Sequence, residues 1–129
     1  MWKKSSPLRI LVVDDESLIR WSLVETLSDS GCEVVAVTDA GSAVQVVTDS
    51  MVPFDVALLD FRLPDSNDLT LLSRLRRLTP ATRIILMTAY GTPEMSQEAL
   101  DLGAYCVLNK PFEMNALSPL VTEAHASSI

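Results

Sequence analysis

The sequence predicts an α/β fold, a doubly wound five-stranded parallel sheet made of five βα units. Two observations predict it. Short Val/Ile/Leu runs alternate with longer amphipathic stretches along the 129 residues, which is the pattern of βαβ units. The runs are also continuous rather than alternating, as expected for strands covered by helices on both faces. A third observation bears on function. Four runs end in polar residues: Leu8–Val13 in Asp14-Asp15, Asp55–Leu59 in Asp60, Arg83–Met87 in Thr88, and Tyr105–Asn109 in Lys110. Open parallel sheets bind ligands outside the carboxyl ends of their strands, so these residues are expected to meet at one edge.

The elements follow in order. Strands are expected at about 8–13, 33–37, 55–59, 83–87 and 105–108. The first helix begins after Asp15-Glu16-Ser17, aligns Ile19, Leu23 and Leu27 on one stripe, and stops at Ser30-Gly31. The second follows Asp39, a good N-cap, and carries Ala43, Val44 and Val47 before Pro53 closes the connection. The third covers roughly 67–78, with Leu71, Leu72 and Leu75 inward and Arg74, Arg76 and Arg77 mostly outward; Thr79-Pro80 ends it. Thr92-Pro93-Glu94 starts the fourth, which Gly103 terminates. The fifth runs from about Glu113 to His125. The reading is one domain over 1–129, with a core of about 8–125, and no internal repeat or linker.

Composition narrows the function. Hydrophobic content of 48% is ordinary for a globular domain, and the formal net charge of −7 argues against nucleic acid, which needs clustered Lys and Arg. Lys3-Lys4 ahead of Leu8–Val13 resembles the start of a signal peptide, but Arg9 interrupts the run and Asp14 ends it. No stretch approaches a membrane span, so the expected compartment is the cytoplasm. Cys32 and Cys106 are read as reduced core thiols.

The strand-end residues form a chemical set. Asp14-Asp15 alone, beside Glu16, would be helix-capping charge. Asp60 at the end of a neighbouring strand changes that. Two carboxylates about 4 Å apart repel by roughly 4 kcal/mol at an effective dielectric of 20. Converging acids therefore need a cation or a raised pKa. Mg²⁺ suits them, being hard, octahedral and content with one or two protein carboxylates plus water and phosphate oxygens. Asp60 follows a fully apolar strand, where its carboxylate can attack phosphorus and form an aspartyl phosphate. Thr88 can donate a hydrogen bond to the phosphoryl oxygens and Lys110 can supply a point charge.

These residues carry a resemblance. Val12-Val13-Asp14-Asp15-Glu16, Leu59-Asp60-Phe61-Arg62-Leu63-Pro64-Asp65, Met87-Thr88-Ala89-Tyr90-Gly91 and Leu108-Asn109-Lys110-Pro111-Phe112 resemble, in order and spacing, the receiver domains of bacterial two-component response regulators. The resemblance covers essentially the whole chain. It implies a flavodoxin-like (βα)5 fold with strand order 2-1-3-4-5. Asp60 would accept phosphate from a sensor histidine kinase or a phosphotransfer protein. Asp14, Asp15 and Asp60 would hold Mg²⁺ together with the backbone carbonyl of Arg62. Thr88 and Lys110 would complete the catalytic set, and the Lys110-Pro111 peptide would be cis. The switching surface would be helix four, strand five and helix five, which in that family contacts output partners or forms homodimers. Met87–Glu94 is similar to receivers that precede sigma-54-dependent transcription activators of the NtrC type.

Three features depart from the family pattern. Asp68 stands where receivers usually have glycine, and Asp tolerates left-handed backbone angles better than most residues. Val107 stands where a switch Tyr or Phe is common. Tyr105, two residues earlier, is expected on the same strand face; either it partly substitutes, or signalling relies on helix four and its loop and Tyr105 is a packed core or rim aromatic. Arg62 and Tyr90 lie two residues after Asp60 and Thr88, at positions that border the phosphoryl group and tune its hydrolysis.

Other classes fit less well. A haloacid dehalogenase-type phosphatase needs a second Asp two residues after the nucleophile, where this chain has Arg62. A flavin carrier would have its phosphate repelled by Asp14-Asp15-Glu16. A degenerate receiver, acting as a phosphorylation-independent interaction module, is the alternative kept open by Val107 and Asp68. Trp21 falls off the first helix's inner stripe and is expected to be partly exposed. His125 is expected to interact with its helix terminus, and Met87, Met95 and Met114 to fill the core.

Overall fold

The computed structural model describes residues 7–126; Lys3 and Lys4 lie outside them. Its elements are β1 (Arg9–Val13), α1 (Ser17–Asp29), β2 (Glu33–Val37), α2 (Ala40–Asp49), β3 (Val56–Asp60), α3 (Thr70–Leu78), β4 (Arg83–Thr88), α4 (Pro93–Asp101), β5 (Cys106–Asn109) and α5 (Leu117–Ala126). A 3-10 turn at Met114–Ala116 leads into α5. All pairs of these strands are parallel, and the order is β2-β1-β3-β4-β5, as the resemblance implied.

Strand alternation divides the core in two. Leu11, Val13, Ala57, Leu59, Ile84 and Leu86 face one way and pack with Ala43 of α2, Leu71, Leu72 and Leu75 of α3, and Ala99 of α4. Ile10, Val12, Val56, Leu58, Ile85 and Met87 face the other way, toward Leu23 and Leu27 of α1 and Leu117, Val121 and Ala124 of α5. Helices α2, α3 and α4 therefore cover one face, and α1 and α5 the other. Both faces being apolar explains why the strands read as unbroken runs.

Several helix ends form as their sequence signals require. Asp39 Oδ1 accepts the Ser42 N–H at 2.7 Å, and Thr92 Oγ1 accepts the Met95 N–H at 3.1 Å with Pro93 at the first helical position. Gly31 and Gly103 terminate α1 and α4 with φ of +90° and +107°, the left-handed conformation that glycine reaches without steric cost.

The differences lie at boundaries. β3, β4 and β5 each end one residue later than expected, at Asp60, Thr88 and Asn109. The ladder continues past the apolar runs, through Phe61 N–H to Met87 O at 2.8 Å and Lys110 N–H to Thr88 O at 2.8 Å. Helix three starts at Thr70 rather than 67, because Asp68 takes the Thr70 N–H at 2.9 Å and turns the chain there. Asp68 does not use a left-handed conformation: among the described residues no non-glycine has positive φ. The loop holds its shape by an Asx-type hydrogen bond instead, and this bond holds the Asp68 carboxyl below its ordinary value.

Tyr105 also differs from expectation. It lies just outside β5 and packs with the α1/α5 cluster, whereas Val107 packs with the α2/α3/α4 cluster. The expected shared face fails because strand alternation does not extend to Tyr105. Its hydroxyl donates to Glu123 Oε1 of α5 at 2.8 Å.

Candidate functional site

Alternation in the strands also positions the acids. Asp14 follows β1 in the phase of Ile10 and Val12, and Asp60 ends β3 in the phase of Val56 and Leu58. Lys110 follows β5 in the phase of Cys106 and Leu108. All three are in phase with the α1/α5 face, at the carboxyl edge of adjacent or next-but-one strands. Asp14 is fully buried and Asp60 is 6% exposed.

Lys110 Nζ lies 3.1 Å from Asp14 Oδ2, 3.4 Å from Asp60 Oδ1 and 3.3 Å from Glu16 Oε1. Carboxylate oxygens of Asp14, Asp15 and Asp60 lie within 4.8 Å of one another. The Lys110 ammonium touches three acids, and Asp15 stands beside Asp14 and Asp60 as a fourth, which leaves an excess of negative charge over this one cation. Hard oxygen donors, an exposed Asp15 beside two buried partners and uncompensated charge fit a small divalent cation that keeps much of its water.

The electrostatics follow from burial. The Asp60 carboxyl is pushed up to about 6, first by desolvation and then by the neighbouring charge of Asp14; Lys110 and the Arg62 N–H pull it back. Burial opposes the charge on Lys110, but Asp14 and Asp60 more than offset this and hold the ammonium above its ordinary value. Asp14 is fixed from several directions: its N–H bonds to Val37 O at 3.1 Å, its Oδ1 accepts the Glu16 N–H at 2.9 Å, and Arg20 holds its carbonyl at 2.9 Å.

Thr88 is 3% exposed, and its hydroxyl accepts the Tyr90 N–H at 3.3 Å. A cavity of about 320 Å³ opens above these groups, lined by Asp15, Asp60, Arg62, Thr88, Tyr90 and Lys110 among others. Arg62 Cζ lies 5.9 Å from the Tyr90 ring centroid, and Tyr90 is 82% exposed. The Lys110-Pro111 peptide is cis. The arrangement can hold a dication and a phosphoryl group against one poised carboxylate.

A profile for the response regulator receiver domain matches residues 10–122. The chain belongs to that family. It is 34% identical over 119 residues to the DNA-binding transcriptional regulator NtrC of Azospirillum brasilense, a match covering 92% of this chain and 24% of that protein. It is 33% identical over 113 residues to sporulation initiation phosphotransferase F of Bacillus subtilis, covering 88% and 90%. The crystal structure of a CheY-like response regulator receiver domain protein from Methanospirillum hungatei superposes with a TM-score of 0.89 at 31% identity, covering 95% of this chain and 97% of that one. The resemblance to NtrC-type receivers stands, and the chain spans about a quarter of the length of such regulators. Receivers of this kind are signalling switches of two-component systems rather than enzymes in the usual sense.

Of the residues singled out from sequence, Asp14, Asp15, Asp60, Thr88, Lys110, Arg62 and Tyr90 gather at this edge, and Tyr105 and Val107 do not share a face. Trp21 is 61% exposed on α1, beside Leu18 at 74%. Met87 is buried, while Met95 and Met114 are partly buried against the two clusters. His125 Nδ1 lies 3.7 Å from Asp55 Oδ1 at the opposite end of the sheet. Among the described residues no helix is long and apolar enough to cross a membrane. Sequence reasoning missed Glu16, taken only as helix charge, and Asp65, whose carboxylate accepts the N–H groups of Ala40 and Gly41. Their positions beside the acid pair and in the turn after Asp60 mark them as near the site, but no local signal names their partners.

Proposed function

We propose that this receiver accepts a phosphoryl group on Asp60, with Mg²⁺ held by Asp14, Asp15, Asp60 and the Arg62 carbonyl. The observation that carries this reading is the Lys110 ammonium set 3.1 Å from Asp14 and 3.4 Å from Asp60 beneath an open cavity. An oxygen of Asp60 forms the bond to phosphorus as the bond to the donor breaks, and the donor keeps the electron pair. The donor is a histidine kinase or a phosphotransfer protein. Bound Mg²⁺ supplies charge neutralisation at the transferring oxygens. Lys110 moves toward the phosphoryl group once Asp60 is an acyl phosphate, and the Thr88 hydroxyl, which accepts from Tyr90 N–H, retains a proton to donate.

The modified Asp60 then biases the surface of α4, β5 and α5 through Thr88. That surface serves an output partner or a second copy of the receiver, in a cytoplasmic pathway regulating transcription. Tyr105, bonded to Glu123, serves as a strut between β5 and α5 rather than as a stand-in for an aromatic at Val107. The domain works as one unit over its whole length.

Incubation with Mg²⁺ and acetyl phosphate, followed by intact mass measurement, tests the reading. Wild type gains one phosphoryl group and Asp60→Asn gains none. Absence of any gain in wild type would replace the proposal with the phosphorylation-independent module.

A further inference from the structure

Asp65 reaches across the fold from the turn that follows Asp60. Its Oδ1 accepts the Ala40 N–H at 2.8 Å and its Oδ2 accepts the Gly41 N–H at 3.0 Å. These are the first two residues of α2, and Asp39 Oδ1 takes the third amide, Ser42, at 2.7 Å. Both oxygens of Asp65 are thus committed to a helix 24 and 25 residues away in sequence. The two amides draw the carboxyl below its ordinary value.

The other end of the same segment touches Asp60. Leu63 and Ser66 close a tight turn around Pro64 and Asp65, through Leu63 N–H to Ser66 O at 2.8 Å and Ser66 N–H to Leu63 O at 3.3 Å. The Leu63 side chain is 6% exposed. The Arg62 N–H points at Asp60 Oδ1 at 3.5 Å, the long limit for such a bond. Phe61 is tied to Met87 O. A path of hydrogen bonds and intervening backbone therefore runs from the amino end of α2 through Asp65 and the closed turn to Arg62.

We propose that Asp65 is a positioning residue for the acceptor site: it pins the turn after β3 to α2 and thereby sets the Arg62 peptide unit against Asp60. The inference rests on the Mg²⁺ reading above, because the Arg62 carbonyl belongs to the same peptide segment. Cutting the tether lets this segment drift while the three carboxylates stay in place. Groups that orient metal ligands without touching the ion typically cost about 10- to 100-fold in affinity when removed, and a tether acting through the backbone belongs at the lower end.

Asp39 supplies the control. It caps the same helix but belongs to the connection between β2 and α2, outside the turn. Two measurements separate the roles. Amide hydrogen exchange in Mg²⁺-free protein reports the turn itself, and calorimetric titration with Mg²⁺ reports the metal site. Asp65→Ala is expected to speed exchange at Arg62 and Leu63 and to weaken Mg²⁺ binding by roughly 10-fold. Asp39→Ala should lower the melting temperature comparably, yet leave both readouts at wild-type values. Asp65→Asn, with one acceptor oxygen instead of two, should fall between. Unchanged exchange at Arg62 in Asp65→Ala overturns the proposal, as does equal loss of Mg²⁺ affinity in both alanine variants. Faster exchange only in Asp65→Ala, in a wild type that binds no Mg²⁺, upholds the tether and overturns the metal reading instead.

Discussion

The guanidinium of Arg62 lies over the ring of Tyr90, 5.9 Å from its centroid, at the mouth of the cavity above Asp60. The two side chains come from the loops after β3 and β4, so the contact borders one side of the cavity over Asp60. Such pairs contribute about 0.5–1 kcal/mol at exposed positions, enough to bias a lid without locking it.

An acyl phosphate on Asp60 should therefore outlive one in a site with small residues there. Arg62→Ala/Tyr90→Ala protein is expected to lose its phosphoryl group several-fold faster, on the order of the factor of 5 that about 1 kcal/mol represents. The decay of phosphorylated protein, followed by intact mass after donor removal, measures it. Equal lifetimes would remove the shielding role.

Asp60 makes stability depend on pH. Its folded-state carboxyl sits at about 6, against an ordinary value of 3.8, because burial and Asp14 disfavour the charge. Below 3.8 both states are protonated and nothing is lost. Between 3.8 and about 6 the unfolded chain ionises first, so stability falls as pH rises, and above about 6 the loss is complete. Without divalent ions, Asp60→Asn should be more stable than wild type by on the order of 2–3 kcal/mol above this range, with the gap closing in acid. Denaturant melts across pH in chelator test it. Mg²⁺ should close the same gap at neutral pH by stabilising the wild type.

Lys110 is the counterpart. It neutralises a fully buried Asp14 and a nearly buried Asp60. Lys110→Met should cost about 3 kcal/mol or more at neutral pH without metal, since removing one partner leaves uncompensated buried charge. The deficit should shrink in acid as Asp60 takes up a proton. A pH-independent deficit in the same melts would point to packing alone.

Gly103 offers a test of the fold rather than the site. At φ +107° an added Cβ would stand 2.6 Å from Arg76 Nε. Gly103→Ala is expected to destabilise by about 1–3 kcal/mol, mainly from backbone strain because the Arg76 side chain can move aside. Acceptance of phosphate should be unaffected, which acetyl phosphate labelling would show.

The parallel, doubly covered sheet was legible because burial on both faces imposes continuous apolar strands, and the helix ends because Asp39, Thr92-Pro93 and Gly103 are local signals acting through the backbone; the strand order came only from the resemblance to receivers. The edge that gathers Asp14, Asp60 and Lys110 was legible for a related reason: strand alternation and parallel direction fix where each run ends. The start of α3 was not, since it depends on the side chain of Asp68 bonding two residues ahead. Tyr105 misled because alternation was extended one residue beyond where the β5 strand begins. Glu16 and Asp65 were illegible in a stronger sense. Their partners, Lys110 and the amides of Ala40 and Gly41, lie 94 and 24–25 residues away, and no local pattern encodes such pairings.

The strand order has a consequence for redox chemistry. Cys32 immediately precedes β2 and Cys106 opens β5, at opposite margins of the sheet, and both are free thiols with partial access to solvent. Four inter-strand steps separate those margins, roughly 19 Å, whereas a disulfide spans at most about 7 Å between Cα atoms. Oxidation of the folded protein can therefore link only separate molecules. Air-oxidised samples on a non-reducing gel should show dimers and higher ladders, never a faster-migrating looped monomer.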